Sequence, residues 1–218
     1  MTPLGCSGDL FDAPGATTPL APQALLLHGF ALDLEADLGE WIGAIAARSP
    51  FRHMQTPGGQ RMSVAMTSCG AAGWVSDARG YRYEALDPCR GEPWPPLPEL
   101  FSALARRAAT TAGFAGFDPD ACLINRYQPG ARMSLHQDRD ERDFAQPIVS
   151  VSLGLTATFL FGGARRSDRP VRVPLRSGDV VVWGGVSRLA HHGVGPVAAG
   201  AHPLFGQYRF NLTFRRAR

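Results

Sequence analysis

Gly178-Asp179-Val180-Val181-Val182-Trp183 is one of six short runs that decide the fold class, because it is rich in β-branched residues and begins at a turn. The other runs share these features and are separated by glycine, proline and aspartate turns: 122–127, 146–153, 156–161, 171–175 and 208–214. Strands that follow one another without helices between them pair antiparallel, and about six to eight of them favour a double-sheet jelly roll. We therefore predict an α+β protein with a jelly-roll core.

The sequence before these runs predicts two helices with a long covering region between them. A first helix, capped by Asp33, has its apolar residues at the 3.6-residue period and stops before Pro50. A second helix covers about 98–112 and stops at Gly113. Between them, about 50–98 is rich in glycine, proline and aromatic residues, and long loops of this kind usually have a function.

The composition is that of one ordinary globular domain. Of 218 residues, 44% are hydrophobic and 19% are charged, which excludes a mostly disordered chain. Residues 1–22 are rich in Pro, Gly and Thr and carry no export signal, so we expect a disordered leader followed by a single domain over 23–218. No apolar run is long enough to span a membrane.

Cysteines and basic residues further restrict the class of protein. The four cysteines lie far apart without a CxxC motif, which excludes a zinc knuckle and predicts reduced thiols in a cytoplasmic protein: Cys6, Cys69, Cys89 and Cys122. The net charge is +3, and all 22 basic residues are arginine. Cationic contacts must therefore use guanidinium groups, which suit carboxylates, phosphates and stacking. Schiff-base and P-loop chemistry, which need lysine, are excluded.

A candidate metal site begins at Leu135-His136-Gln137-Asp138. In extended backbone the side chains of His136 and Asp138 point to the same face. His191 or His192, which follow the 178–183 run, could supply a third ligand. Two histidines and one carboxylate form the facial triad of non-haem Fe(II) oxygenases. Because HxD is a frequent chance pattern, the spacing alone leaves a structural or solvated role equally open.

The last run has one polar and one apolar face. Polar residues alternate with apolar ones, so four polar side chains share a face: Arg209, Asn211, Thr213 and Arg215. An edge strand with a wet face would show the same pattern. Alternatively, the two arginines could bind a dicarboxylate through charge-assisted hydrogen bonds. Asn125 and Tyr127 form a second same-face pair just before the HxD turn, and together these groups fit Fe(II) with 2-oxoglutarate.

On these residues the chain resembles the AlkB family of Fe(II)/2-oxoglutarate-dependent nucleic-acid dealkylases. The resemblance runs from about residue 24 onward, and the R-x-N-x-x-x-R pattern of the last run belongs to it. Its other motifs are 49–52 (SPFR), 56–59 (TPGG), 62–67 (MSVAMT), 120–127 (DACLINRY), 135–138 (LHQD), 147–155 (PIVSVSLGL) and 178–185 (GDVVVWGG).

The resemblance implies a double-stranded β-helix core in which His136, Asp138 and His192 hold the iron. It places Arg209 and Arg215 at the 2-oxoglutarate carboxylates, and three further residues complete that pocket: Asn125, Tyr127 and Asn211. In the family mechanism, oxidative decarboxylation of 2-oxoglutarate by O2 gives succinate, CO2 and an Fe(IV)-oxo species that hydroxylates the alkyl carbon on a base nitrogen. The product collapses to an aldehyde and the repaired base.

The family's nucleotide-recognition lid corresponds to the region 50–98, over a catalytic β core at 120–218. Trp74 would stack on a flipped base, Asp140 would accept from its exocyclic amine, and four residues would line the base or strand path: Thr56, Met66, Tyr81 and Arg166. Without the resemblance, Trp74 would be interpreted as a partly buried anchor and Asp140 as a turn aspartate. Candidate phosphate contacts are Arg126, Arg132, Arg139, Arg165, Arg166 and Arg169.

We therefore expect a monomeric enzyme that repairs 1-methyladenine- and 3-methylcytosine-type lesions in single-stranded DNA, with RNA as a further candidate substrate. The alternatives are a 2-oxoglutarate-dependent hydroxylase of a protein or small molecule, and a non-catalytic nucleic-acid-binding module. Ala190 departs from the family pattern, where a bulkier residue is expected, and could let His191 enter the pocket.

Overall fold

The computed structural model describes residues 13–218, so the first half of the predicted leader lies outside the described residues. Its two α-helices are α1 (Glu35–Arg48) and α2 (Glu99–Thr111). The strands before α2 are β1 (Thr17–Ala21), β2 (Ala24–Leu27), β3 (Arg52–Gln55), β4 (Arg61–Gly70), β5 (Gly73–Asp77), β6 (Gly80–Glu84), β7 (Leu86–Asp87) and β8 (Glu92–Pro93). Those after it are β9 (Ala121–Tyr127), β10 (Met133–His136), β11 (Ile148–Gly154), β12 (Ala157–Phe161), β13 (Val171–Leu175), β14 (Val180–Trp183), β15 (His192–Val194) and β16 (Arg209–Arg215).

Two antiparallel sheets form the core. The major sheet has eight strands in the order β1-β2-β14-β11-β16-β9-β4-β3, and the minor sheet has four in the order β10-β15-β12-β13. Apart from the consecutive pairs β1-β2, β3-β4 and β12-β13, neighbours in these orders are not consecutive in sequence, as strands that switch between two sheets require. The predicted α+β jelly-roll class is confirmed.

The major sheet is covered on both faces. On its outer face, alternate residues of the central strands, such as Val149, Val151 and Leu212, pack with the buried faces of both helices. On its inner face, residues such as Ile148 and Trp183 pack with the minor sheet. Burial on both sides explains why β14 is continuously apolar and why only small serines interrupt the apolar residues of β11.

The first strand corrects the predicted leader. Thr17–Ala21 pairs antiparallel with β2 at the edge of the major sheet, and Thr18 Oγ1 lies 2.8 Å from His28 Nε2. Disorder up to residue 22 is therefore wrong for 17–21. Proline is tolerated on an edge strand, so the composition of this stretch did not preclude pairing. His28, at the other end of this contact, is buried.

The covering region and the helix start also differ from expectation. The stretch 50–98 contains six strands, and β4 belongs to the major sheet rather than to a loop. Asp33 lies in a 3-10 turn before α1, and no side chain caps that helix. In the described part of the chain, neither helix is long and apolar enough to cross a membrane.

Candidate metal centre and active site

Pairing between two strands of the minor sheet brings the metal-ligating side chains together. His136 ends β10, His192 begins β15, and the two are direct cross-strand partners whose ring centroids lie 4.4 Å apart. Gly193 permits this close approach, because a Cβ there would lie 2.7 Å from the carbonyl oxygen of Met133. The sequence could not choose between His191 and His192, and this register favours His192.

Asp138 completes a group of three. Its Oδ1 lies 3.6 Å from His136 Nε2 and its Oδ2 lies 3.8 Å from His192 Nε2. Ligand atoms from the three residues all lie within 4.8 Å of one another, and within residues 13–218 no other such group of three occurs. His191 stays outside it, with Nδ1 3.3 Å from the carbonyl oxygen of Gly163, so the space left by Ala190 does not bring His191 to the ligands.

Both histidines are oriented for ligation through Nε2. His136 Nδ1 lies 2.9 Å from the carbonyl oxygen of Ser134, and His192 Nδ1 lies 3.1 Å from that of Ala190. A carbonyl can only accept, so Nδ1 carries the proton and donates it, leaving Nε2 with a free lone pair. This arrangement is the usual outer-shell support of a metal-binding imidazole.

The protonation states also suit a cation. Burial and the neighbouring His136 lower the pKa of His192 to about 4, which keeps its imidazole neutral at pH 7. Burial alone would raise the pKa of Asp138, but the Arg215 guanidinium and the two histidines hold that pKa below its ordinary value. Asp138 is therefore a carboxylate, and two neutral imidazoles with one carboxylate fit Fe(II).

The central strand β16 carries two buried arginines with different partners. It lies between β9 and β11, which excludes the wet edge strand that its pattern also allowed. Arg215 donates to Asp138 Oδ2 through Nε at 3.0 Å and Nη2 at 2.6 Å. Arg209 lies over the Tyr127 ring and donates only Nη2, to Ser152, so that its Nε and Nη1 have no described partner.

These unpartnered atoms indicate a missing anion. An unsatisfied buried guanidinium is costly, and a carboxylate matches its geometry. Asn125 Oδ1 is also buried without a partner, while its amide nitrogen lies 3.3 Å from Asn211 Oδ1. The residues present therefore fit a dicarboxylate such as 2-oxoglutarate beside the metal.

One cavity of about 690 Å³ connects the metal ligands, this pocket and the lid. Its lining includes all fourteen residues that the sequence singled out as a site: Thr56, Met66, Trp74, Tyr81, Asn125, Tyr127, His136, Asp138, Asp140, Arg166, His192, Arg209, Asn211 and Arg215. It is large enough for a drug-sized ligand. The structure therefore brings every predicted site residue to the same space.

The lid side of this cavity is formed by the hairpin β5–β6. The rings of Trp74 and Tyr81 stack with centroids 5.6 Å apart and planes 13° apart. Trp74 Nε1 donates to Asp140 Oδ2 at 2.8 Å. Asp140 therefore anchors the indole to the segment that carries the metal ligand Asp138.

The predicted phosphate-binding arginines fall into two groups. Arg132, Arg139 and Arg166 line the cavity, are exposed and form no ion pair with a described residue, and Arg165 and Arg169 flank Arg166 in its turn. Arg126 instead lies between Phe51 and Tyr208, with its guanidinium carbon 4.6 and 5.1 Å from their ring centroids. Its side chain belongs to the other face of β9, so the phosphate role predicted for Arg126 is not supported.

Three residues behind the metal ligand were not expected: Glu141 and Arg188, which are buried, and Tyr83, which is partly buried. Glu141 accepts from Tyr83 Oη at 2.8 Å and from Arg188 Nη2 at 3.1 Å. Burial raises the pKa of Tyr83 well above its ordinary range, so its hydroxyl keeps the proton that it donates. Glu141 lies in a charged run whose sequence predicts a solvated turn. Arg188 is 47 residues away from it in the sequence. Nothing in the local sequence indicates these contacts.

The fold and the site define a class of enzyme, and comparison with known proteins agrees. A sequence profile of the 2OG-Fe(II) oxygenase superfamily matches residues 23–215. The solved structure titled "The structure of OsALKBH1" aligns with a TM-score of 0.81 at 31% identity, covering 92% of this chain and 99% of that one. The protein is an Fe(II)- and 2-oxoglutarate-dependent dioxygenase.

Closer relatives narrow the class. The chain is 57% identical over 210 residues to "Alpha-ketoglutarate-dependent dioxygenase AlkB" of Salmonella typhimurium, covering 96% of this chain and 97% of the relative. It is 55% identical to the protein of the same name from Escherichia coli, with the same coverage. The chain belongs to the AlkB family.

Proposed function

We propose that this dioxygenase repairs N-alkylated bases, of the 1-methyladenine and 3-methylcytosine type, in single-stranded DNA, and that it also accepts RNA. The observation that carries the proposal is the single cavity that joins a metal triad, an aromatic lid and unpaired arginines. Relatives with shorter matches have names that agree with this class of substrate. They are "Nucleic acid dioxygenase ALKBH1" of Mus musculus, 34% identical over 56% of this chain, and "DNA N(6)-methyladenine demethylase ALKBH1D" of Arabidopsis thaliana, 41% identical over 44%.

His136, Asp138 and His192 would hold the iron, and three protein ligands leave open positions for the co-substrate and O2. When bound, the iron with 2-oxoglutarate and O2 supplies the oxidation of the alkyl carbon, whose hydroxylated product breaks down to an aldehyde and the free base nitrogen. Arg209 would bind a carboxylate of 2-oxoglutarate with Nε and Nη1. The amide groups of Asn125 and Asn211 and the hydroxyl of Tyr127 would complete that pocket.

Trp74 would stack on the flipped base, which contributes about 1–3 kcal/mol without reading its sequence. Tyr81 now covers one face of the indole, so a base would take the other face or displace Tyr81. Asp140 accepts from Trp74 with Oδ2, and its Oδ1 has no described hydrogen-bond partner. One carboxylate could therefore orient the indole and accept from the exocyclic amine of a base.

The strand would follow the exposed arginines at the mouth of the cavity. Arg132, Arg139 and Arg166 have no described carboxylate partner, so their charge is available to phosphates, and Thr56 and Met66 also line the cavity. Contacts of this kind position a strand and carry no base information. A repair enzyme needs such contacts because its lesions occur in any sequence context.

The decisive test is turnover of an oligonucleotide with a single 1-methyladenine. With Fe(II), 2-oxoglutarate and ascorbate, the protein should release succinate and formaldehyde in equal amounts, and mass spectrometry should show loss of the methyl group. His192→Ala should abolish all three signals, and His191→Ala should retain them. Succinate release with an unchanged oligonucleotide would instead indicate the hydroxylase of a protein or small molecule.

We also infer a monomer in the cytoplasm. The described cysteines Cys69, Cys89 and Cys122 are free thiols, although Cys69 and Cys122 are cross-strand partners, and free thiols are typical of a reducing compartment. Sedimentation of the purified protein, and fractionation of cells that express it, would test these two statements.

A further inference from the structure

The segment between β10 and β11 carries both Asp138 and Asp140, yet it has no regular secondary structure. Among the described residues, no main-chain to main-chain hydrogen bond ties 139–146 to another element. A segment held so weakly would not keep a carboxylate fixed to within the tolerance that a metal site needs. Another group must therefore hold it in place.

Among the described residues, Arg188 is the side chain from another element that binds the backbone of this segment, whereas Arg215 and Trp74 bind the carboxylates of Asp138 and Asp140. Arg188 follows a 3-10 turn after β14, and its side chain is 3% exposed. Its guanidinium donates to the start, middle and end of the segment. Nη1 reaches the carbonyl oxygen of Asp138 at 2.7 Å, Nη2 reaches Glu141 Oε2 at 3.1 Å, and Nε reaches the carbonyl oxygen of Gln146 at 2.9 Å.

The same contacts form a charge-balanced buried cluster. Glu141 lies between Arg188 and Arg215, with its Oε1 3.2 Å from Arg215 Nε, while Arg215 also binds the carboxylate of Asp138. Two arginines thus face two carboxylates. Without Arg188, Glu141 would have Arg215 as its single charged partner and would compete with Asp138 for it.

We propose that Arg188 is a positioning residue that sets the metal ligand Asp138 and the base-reading residue Asp140 by fixing the segment that carries both. Arg188 does not line the cavity, so it acts on them through the backbone rather than by touching a ligand. Loss of its three bonds should weaken metal binding and should also misalign the base relative to the metal. This inference rests on the metal centre and substrate proposed above.

The test uses Arg188→Met and Arg188→Lys, with Co(II) as the metal probe. Titration of the metal-free protein with Co(II) in the presence of 2-oxoglutarate should show at least a tenfold weaker affinity for both variants. The Co(II) absorption bands should also change. On a 1-methyladenine oligonucleotide with Fe(II), the ratio of formaldehyde to succinate should fall at least twofold. Lysine keeps the charge but lacks the planar fork, so it should not restore the parental values.

Two further variants separate positioning from stability. Arg188→Met combined with Glu141→Gln removes the unbalanced charge, so its thermal midpoint should recover relative to Arg188→Met while its Co(II) affinity stays weak. Arg52→Lys, at an arginine that pairs with Asp87 away from the cavity, should lower the thermal midpoint and leave Co(II) affinity unchanged.

Each outcome has one meaning. If either Arg188 variant folds and keeps both the parental Co(II) affinity and the parental product ratio, the positioning role is wrong. If Arg188→Met does not fold, Arg188→Lys decides the question. If the parent protein itself binds no Co(II), the metal centre is wrong, and the inference is overturned with it.

Discussion

The two arginines of β16 show how residues on one strand face can take different roles. The sequence assigned both to 2-oxoglutarate because they share a face. In the structure, Arg215 is occupied by Asp138, whereas Arg209 retains two unpartnered nitrogens. A pattern of alternation gives the face of a side chain but not its partner, which depends on residues from other strands.

This difference predicts separable defects. Arg209→Lys should raise the KM for 2-oxoglutarate at least tenfold, because it loses the planar fork, and should leave Co(II) affinity without 2-oxoglutarate unchanged. Arg215→Lys should weaken Co(II) binding even when 2-oxoglutarate is absent. Steady-state kinetics and metal titration of both variants provide the check, and an equal effect on both quantities in both variants would contradict the division of roles.

The buried His192 also predicts how stability depends on pH. The pKa of His192 is about 4 in the folded protein, compared with 6.5 for an unperturbed imidazole. Between these two pH values the unfolded chain therefore binds a proton that the folded chain does not bind. The contribution of His192 to the free energy of unfolding of the metal-free protein is therefore fully present above about pH 6.5. It is lost as the pH falls toward 4, and the loss is up to about 3 kcal/mol.

Chemical denaturation between pH 7.5 and 4 would measure this loss, with about four pH values needed to define the slope. His192→Gln should show a flatter profile in the same range, because glutamine does not titrate. A parallel pH profile for the two proteins would show that other groups cause the acid sensitivity.

At the level of elements, the hairpin β5–β6 and the Asp140 segment act together. Asp140→Ala should lose about tenfold or more in repair of 1-methyladenine and 3-methylcytosine, since a charge-assisted hydrogen bond contributes about 1.5–3 kcal/mol. Co(II) affinity and uncoupled succinate release should remain. Product analysis on both lesions measures the loss.

Trp74→Phe is the matched control for this prediction. It removes the hydrogen bond from the indole to Asp140 but keeps a stacking ring. If its defect equals that of Asp140→Ala, the carboxylate serves to hold the lid and does not read the base. If its defect is much smaller, direct recognition of the amine is supported.

The elements differ in how well the sequence predicts them. The strands β9, β11 to β14 and β16 lie within two residues of the predicted runs. Burial accounts for the continuous or alternating apolar residues of most of them. β13 is a largely exposed edge strand, and its β-branched valines identified it. β4 was missed since its small and polar residues, including Thr67 and Ser68, do not alternate clearly. β1 contains Pro19 and has little intrinsic preference for a strand. Its strand structure depends on pairing with β2.

The site was predictable where chemistry is tied to spacing and not where it depends on tertiary contacts. His136 and Asp138 are two apart in extended chain, so their proximity follows from the backbone alone. The choice of His192 needed the register between β10 and β15. Tyr83 and Arg188 reach Glu141 from distant elements, and no local pattern records such contacts.

For the whole molecule, the distribution of arginines predicts how binding depends on salt. Several arginines away from the cavity pair with carboxylates, as Arg106 does with Glu99, whereas those at the cavity mouth do not. Arg139→Gln should reduce the salt slope of binding to a single-stranded oligonucleotide by about 0.7, because one phosphate contact is lost. The control is Arg48→Gln, at an arginine that lies outside this cavity and has no ion pair with a described residue, and it should not change the slope.

The same assay should show a preference for single strands. A duplex must release the damaged base from its stack, which costs a few kcal/mol and less at a lesion that already blocks pairing. Equal turnover of single- and double-stranded substrates at each salt concentration would contradict the proposed mode of binding.

The position of β16 has a consequence for how the protein is made. The ribosome delivers β9 and β11 before the strand that belongs between them, so each first emerges with an open edge. Until residue 215 has left the exit tunnel, the nascent chain cannot complete the major sheet. Arg215 also cannot reach the metal ligand Asp138 before then. Metal capture should therefore wait for β16, and ribosome-bound chains that end before residue 209 should be digested readily by protease even when Fe(II) is supplied.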